Sequence, residues 1–286
     1  MPHQRNHPGG GRSPDSSAAA TGSLPRHSLG VDIGGTGIKG ALVDLRDGSL
    51  ASDRFRLDTP HPATPQAVAA TVADVVGNVE YSGPIGVTFP GVVQRGTVLT
   101  AANVDSSWIG TSLVDTLAPL LPGTVVGLND ADAAGLAEVR YGAGEDRDGL
   151  VIMVTLGTGI GTALIHDGVL VPNAELGHME VDGHDAETRA SVSARERRGL
   201  SWEQWARKVQ KYLRRLEKLL WPELFIIGGG VSKRPDKWFD LIDTRTPKVI
   251  ATLANNAGIV GAALAAAEAQ LGPSARRGRP AAPGSS

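Results

Sequence analysis

The amino-acid sequence predicts an α/β protein built around a repeated strand–turn–strand unit. Three observations lead there. Strand-like and helix-like segments alternate along the chain, the pattern of mixed layers. The stretch "VDIGGTGIKGALVDLRDG", from Val31, returns as "VTLGTGIGTALIHDG", from Val154, with strand, glycine turn, strand, Asp-Gly turn and strand in the same order. Hairpins with Asp-Gly turns are common, but two such copies read as the openings of two similar domains. A length of 286 residues, 41% hydrophobic and with 37 glycines, suits two domains of ordinary size joined through many tight turns.

The elements follow in order. Leu29–Ile33 and Ile38–Asp44 are expected as strands around a glycine turn, and "RDGS" turns into a strand over Leu50–Leu57. Helical spacing of apolar residues places a helix over Thr64–Val79. "GPIGVTFPGVV" and "TVVGLND" read as buried strands, and Ala131–Tyr141 as a helix. A second strand set starts at Leu150–Leu156 and turns through "GTGIG" and then "HDG". Over Ser201–Trp221, Trp202, Trp205, Val209, Leu213, Leu216 and Leu220 recur every three or four residues, the buried stripe of an amphipathic helix. Leu224–Ile227 is an apolar strand leading to "GGGVSK". Residues 1–27 and 272–286, rich in Gly, Ser, Pro and Ala, are expected to be disordered tails. That leaves an N-terminal α/β domain over 28–129 and a C-terminal one over 130–271, with a final helix able to pack back on the first.

A formal net charge of −2 offers no case for nucleic acid or an acidic membrane as partner, so any anion site has to be local. With no cysteine, disulfides and thiolate metal sites are excluded. No apolar run approaches the roughly 20 residues of a membrane span, and the first residues lack the core of a signal peptide. A soluble cytoplasmic protein is expected.

The glycine stretches are candidate phosphate sites. Gly35 to Gly40 has the wrong order for a P-loop. Gly35, Gly37 and Gly40 match the spacing of a dinucleotide fingerprint, but Gly40 leads into a strand-like run where that motif needs a helix. A β-hairpin clamp remains. Gly34 and Gly35 would let backbone N–H groups approach phosphate oxygens, Thr36 would add a hydroxyl and Lys39 a positive charge. Asp32, ending the first strand, could hold Mg²⁺ directly or through water. Thr155, Gly157, Thr158 and Gly159 would form the second clamp across a cleft, and a tight structural hairpin is the plain alternative for each. Gly229 and Gly230 would open a turn able to receive an anion, with Lys233 in reach, or simply join strand to helix.

In "GLNDADAAGLAE", Asn129 and Asp130 end a strand just before a helix. A carboxylate there suits a general base for an attacking hydroxyl, and equally a helix cap. "TFPGVV" and "AANVD" place Thr88, Gly91 and Asn103 between apolar segments, and "ELGHMEVDG" brings Glu175 and His178 into one short loop. A solvated glutamate and a core histidine are the plain readings of that pair.

"DIGGTGIKG", "GTGIG" and "GGGVSK", in this order, resemble the ROK sugar kinases from about Leu29 to Leu271. The resemblance implies a two-domain actin-like, ribonuclease H-like fold with a cleft between the domains. It implies a general base at Asp130, sugar contacts from Asn103, Asn129, Glu175 and His178, with Thr88 and Gly91 beside them, and Mg²⁺ with the phosphoryl donor. Many of the family follow the histidine with cysteines that bind structural zinc; this chain has none, so no zinc is expected and the loop after Gly183 has to be ordered otherwise. A further sugar-contacting glutamate of the family has only Glu187 and Glu196 as candidates.

Within the family, "GTGIK" and the segment after Leu200 look most like the polyphosphate glucokinases of actinobacteria. Arg207, Lys211, Arg214 and Lys218 form a cationic stripe on the predicted helix, and 195–237 hold twelve Lys and Arg against five Asp and Glu. A solvated helix face is the ordinary reading of such a stripe. A one-signed row without acidic partners four residues away, running into a phosphate turn, instead suits a long polyanion. The expectation is therefore a homodimeric glucokinase taking its phosphoryl group from inorganic polyphosphate, and from ATP as well. A strictly ATP-dependent ROK kinase is the alternative. A sugar-sensing ROK regulator is disfavoured, because residues 1–26 are too short and glycine-rich for a helix-turn-helix.

Overall fold

The computed structural model describes residues 23–101 and 103–271. Most of the two expected tails, 1–22 and 272–286, lies outside the described residues. Packing begins slightly earlier than expected: Leu24 joins a core cluster and Arg26 pairs with Asp44 at 3.4 Å.

Two sheets of matching topology form the frame. The first contains β1 (His27–Ile33), β2 (Ile38–Asp44), β3 (Ser49–Leu50), β4 (Phe55–Leu57), β5 (Ile85–Phe89) and β8 (Val125–Asn129), in the order β3-β2-β1-β5-β8 with β4 also on β2. Between β5 and β8, β6 (Val93–Gln94) and β7 (Thr97–Val98) make a small hairpin. The second contains β9 (Leu150–Leu156), β10 (Ile160–His166), β11 (Val169–Val171), β14 (Leu224–Gly228) and β15 (Lys248–Ile250), in the order β11-β10-β9-β14-β15. In each, the first two strands are antiparallel and the last two join in parallel. The repeat at Val31 and Val154 is thus a repeat of structure, and Gly40 lies within β2 as its strand-like flank required. The strand expected over Leu50–Leu57 is broken in two, because Ser52 turns inward and its hydroxyl accepts from the Leu42 N–H at 3.0 Å.

The helices are α1 (Pro65–Gly77), α2 (Leu113–Leu117), α3 (Asp130–Tyr141), α4 (Glu187–Ala190), α5 (Val192–Arg197), α6 (Trp202–Leu220) and α7 (Ala257–Ala269). Thr64 caps α1 and Ser201 closes a capping box with Gln204 on α6. Trp205, Val209, Leu213 and Leu216 are buried as the spacing predicts, while Trp202 and Leu220 are half-exposed. The short β12 (Glu180–Val181) and β13 (His184–Asp185) pair as a hairpin beyond β11.

Two helices are exchanged between the sheets. α3 follows β8 of the first sheet and packs on β9 and β10 of the second; α7 follows the second sheet and packs on β1 and β5 of the first. The approach is backbone to backbone. A Cβ on Gly30 would stand 1.9 Å from the Ile259 carbonyl oxygen, one on Gly86 1.8 Å from that of Ala262, and one on Gly261 1.8 Å from that of Ala133. Only glycine permits such contact. No helix among the described residues is long and apolar enough to cross a membrane.

Candidate active site

A cleft of about 220 Å³ lies where the strand ends of both sheets meet α3 and α7. Asp32, Lys39, Asp130, Thr155 and Gly229, all expected at the site, line it together, and Ser232, Asn255 and Gly258 join them. Asp32 and Thr155 each lie one residue from the end of their strands, β1 and β9, so duplication brings the two hairpins to one opening.

Asp32 is tightly held. Its Oδ1 accepts from the Thr88 hydroxyl at 2.8 Å and its Oδ2 from Lys39 Nζ at 3.1 Å. Thr88 is fully buried in β5 and its oxygen also accepts from the Ile33 N–H at 3.2 Å. This corrects the expectation for Thr88: it orients Asp32 and cannot reach a sugar. Each Asp32 oxygen thus accepts one hydrogen bond, and Lys39 already offsets part of the carboxylate's charge. A hydrated cation held through water fits the carboxylate, since Mg²⁺ usually keeps several waters.

The glycine turns are partly closed on themselves. Gly34 N–H donates to the Gly37 carbonyl at 3.1 Å and Gly157 N–H to that of Gly159 at 3.0 Å. Those two N–H groups are therefore not free for phosphate, which corrects the expectation for Gly34 and Gly157 and leaves Gly35 with Thr36, and Thr158 with Gly159, at the turn tips. Thr36 and Thr158 are exposed there. Arg56, unforeseen, covers the first turn, its Nη2 donating to the Thr36 carbonyl at 2.9 Å. Gly229 has φ 85°, and a Cβ there would lie 2.4 Å from the Leu156 carbonyl oxygen, so glycine is required. Gly230 opens the 3₁₀ turn Gly230–Lys233, which leaves Lys233 exposed at its end.

Asp130 is the first residue of α3, and Asn129 caps the helix, accepting from Ala131 N–H at 2.8 Å and Asp132 N–H at 3.0 Å. Asn129 also donates to the Gly91 carbonyl at 3.1 Å and is buried. Asn129 and Gly91 thus brace the start of α3. Water reaches Asp130 through the open cleft, yet the protein around it disfavours its charge. Burial, then the facing carboxylate of Asp32, raises its pKa to about 7, opposed by the Ala131 N–H.

On the other flank, Asn103 is exposed with φ 63° and faces Gly35. Glu175 and His178 bracket a short 3₁₀ turn, Leu176–His178. His178 Nδ1 lies 2.8 Å from Asp185 Oδ2, which raises the histidine's pKa. Burial raises that of Glu175. The β12–β13 hairpin and Asp185 thus order the loop that has no cysteines. Glu187, on α4, accepts from the Ile160 N–H at 2.9 Å and faces this group, whereas Glu196 is exposed on α5.

The cationic stripe is exposed on α6 at Arg207, Lys211, Arg214 and Lys218, but its expected lack of acidic partners is corrected, beginning with Glu203, which stands four residues before Arg207. Lys211 pairs with Asp182 and Arg214 Nη2 with Asp243 at 2.5 Å, both from outside the helix.

Residues 28–196 match the ROK family model. The chain belongs to the ROK family. It is 54% identical over 253 residues to the polyphosphate glucokinase of Mycobacterium tuberculosis, spanning 88% of this chain and 96% of that one. The crystal structure of inorganic polyphosphate/ATP-glucomannokinase from Arthrobacter sp. strain KM is 54% identical, with a TM-score of 0.81 over 86% of this chain and all of that one. A ROK family glucokinase from Streptomyces griseus, in complex with glucose and AMPPNP, is 28% identical, with a TM-score of 0.74 over 85% of this chain and 99% of that one. The actin-like, ribonuclease H-like expectation for the fold therefore stands.

In this ROK protein two further residues support the site without any local signal in the sequence. Asp132, buried, accepts from Asn173 N–H at 2.8 Å, and Asn173 in turn bonds both the N–H and the carbonyl of Val93 at 3.0 Å. The pair ties α3 to the β6–β7 hairpin. Burial raises the Asp132 pKa to about 7 as well.

Proposed function

We propose that this chain transfers the terminal phosphoryl group of inorganic polyphosphate, and of ATP, to the 6-hydroxyl of glucose. The observation that carries the reading is Asp130 at the start of α3, facing Asp32, Lys39 and Gly229 across one cleft, in a chain so similar to polyphosphate-dependent sugar kinases.

Asp130 accepts the proton of the sugar hydroxyl as that oxygen bonds to the terminal phosphorus. The bond from that phosphorus to the bridging oxygen breaks, and the donor leaves one unit shorter. Asn103, Glu175, His178 and Glu187 hold the sugar, so that attack is nearly unimolecular. Lys39, the turn tips at Gly35–Thr36 and Thr158–Gly159, and the Gly229–Lys233 turn hold the donor phosphates. Mg²⁺, when bound near Asp32 through water, would offset charge on the transferring group. Arg207 and Lys218 continue the path for the donor chain. We place the reaction in the cytoplasm and the working unit as a homodimer of an N-terminal domain over 28–129 and a C-terminal domain over 130–271, with α7 returned to the first.

Because the base works ionised, kcat/KM is expected to fall about tenfold for each pH unit below about 7 and to level off above it. Glucose 6-phosphate formation at saturating donor from pH 5.5 to 8.5 measures this; a flat acid limb would exclude a base of raised pKa.

The deciding experiment supplies polyphosphate with no nucleotide present. Glucose 6-phosphate should form, with KM for polyphosphate rising steeply, by about tenfold or more, between about 50 and 300 mM salt. Product from ATP alone would overturn the reading. That strictly ATP-dependent alternative is favoured by one observation, the ion pairs that neutralise Lys211 and Arg214.

A further inference from the structure

A second pocket, of about 190 Å³, shares no lining residue with the reaction cleft and lies between the β12–β13 hairpin, α4 and α6. Asp182, His184, Arg189, Lys208, Lys211 and Tyr212 supply its polar lining. Three permanent cations thus face one carboxylate, and that carboxylate is already bonded to Lys211. Arg189 pairs with no carboxylate among the described residues; its Nη2 lies 2.7 Å from His184 Nε2. In that contact the guanidinium N–H donates to the ring nitrogen, so Arg189 is braced while no carboxylate offsets its charge.

The floor carries an independent sign of a missing ligand. Tyr212 is 1% exposed, and its hydroxyl has no hydrogen-bond partner among the described residues. Burial keeps the phenol protonated far above neutral pH, so it remains a donor. Buried hydroxyls are nearly always bonded, and one left alone beside a cationic pocket marks a place for an acceptor.

We propose that this pocket binds a phosphoryl group. Its free groups are donors, which suits a tetrahedral oxyanion and not a sugar, whose hydroxyls also need acceptors. The surplus of two positive charges matches a dianion, and the arginine fork matches its oxygens. Two sources carry that chemistry: an inner unit of the polyphosphate chain, or free phosphate. The first is assigned here, since Lys208 and Lys211 belong to the same helix as the exposed cations Arg207 and Lys218; only this assignment rests on the function proposed above. The occupant would also touch His184, next to the Asp185 that holds His178, so donor anchoring and sugar binding share one hairpin.

The test uses the full chain and two variants, Arg189→Gln and Tyr212→Phe, the latter keeping the buried ring. Calorimetry with inorganic phosphate is run with the cleft filled by glucose and a non-hydrolysable ATP analogue. Arg189→Gln should weaken phosphate binding by about tenfold and Tyr212→Phe by about threefold, and both should raise KM for long-chain polyphosphate by about threefold or more while ATP kinetics stay unchanged. Weakened phosphate binding with unchanged polyphosphate KM would keep the phosphoryl site and assign it to free phosphate. If wild type uses no polyphosphate but its phosphate binding depends on Arg189, the pocket stands and the proposed function falls. If wild type uses polyphosphate and neither variant alters phosphate binding or polyphosphate KM, the pocket proposal falls alone.

Discussion

Asp130→Asn is expected to lower kcat for glucose phosphorylation by a factor of about 10² to 10⁴, the usual contribution of a positioned general base. Glucose binding, read from tryptophan fluorescence, should stay within a few-fold of wild type, because Glu175 and His178 are untouched. The fold should survive too. The backbone N–H of Ala131 keeps its Asn129 partner, so the helix start remains capped. The linkage sign supports this. The native pKa of Asp130 lies near 7, above the ordinary carboxylate value. The folded state therefore binds the extra proton, and wild-type stability falls as pH rises through that window. An uncharged amide removes the penalty, so at pH 8 the variant should melt no lower than wild type. Near-normal turnover would refute the assignment, and a fall in melting temperature would show a structural role instead.

Gly86→Ala should be among the most damaging single methyls that the described residues could receive. The new Cβ would lie 1.8 Å from the Ala262 carbonyl oxygen, a backbone atom of a buried helix that no rotamer change can move. α7 would have to lift from β5, opening the core on both sides. A cost of about 3 kcal/mol or more follows from overpacking of this kind, which for a chain this long lowers the melting temperature by about 10 °C. Gly77→Ala, at the end of α1 with nothing within 4 Å of the new methyl, is the control. It should be neutral or slightly stabilising through helix propensity, by up to about 1 kcal/mol. Equal effects at the two positions would show that the close packing of α7 carries no stability.

The parts of the fold that were legible are local. Asp-Gly turns and alternating apolar residues reveal the two hairpins, and Thr64 and Ser201 mark their helix starts. The matched strand order was not legible, since β1–β5 and β9–β14 are parallel pairs joined over long crossovers. In the site, Asp130 stands out from its place after an apolar strand. Thr88 misleads because β5 lies between two neighbours, and its hydroxyl faces Asp32 rather than the cleft. Lys211 and Arg214 mislead because Asp182 and Asp243 each lie 29 residues away in sequence. Helical spacing counts acidic partners only within one helix, so these were invisible. Asp132 and Asn173 escape for the same reason, their bond closing over 41 residues.

The placement of α7 carries a consequence for how the chain is made. The helix that covers β1 and β5 lies at 257–269, some of the last described residues to leave the ribosome, while the strands it covers are among the first. Until it arrives, the glycine-lined faces of β1 and β5 have no cover, and the first sheet waits with apolar surface open to other chains. Folding of this half thus waits until α7 has been made, and its contacts are of the long-range kind that form slowly. A ribosome stalled before Ala257 would hold a nascent chain in need of a chaperone, however regular its opening hairpin.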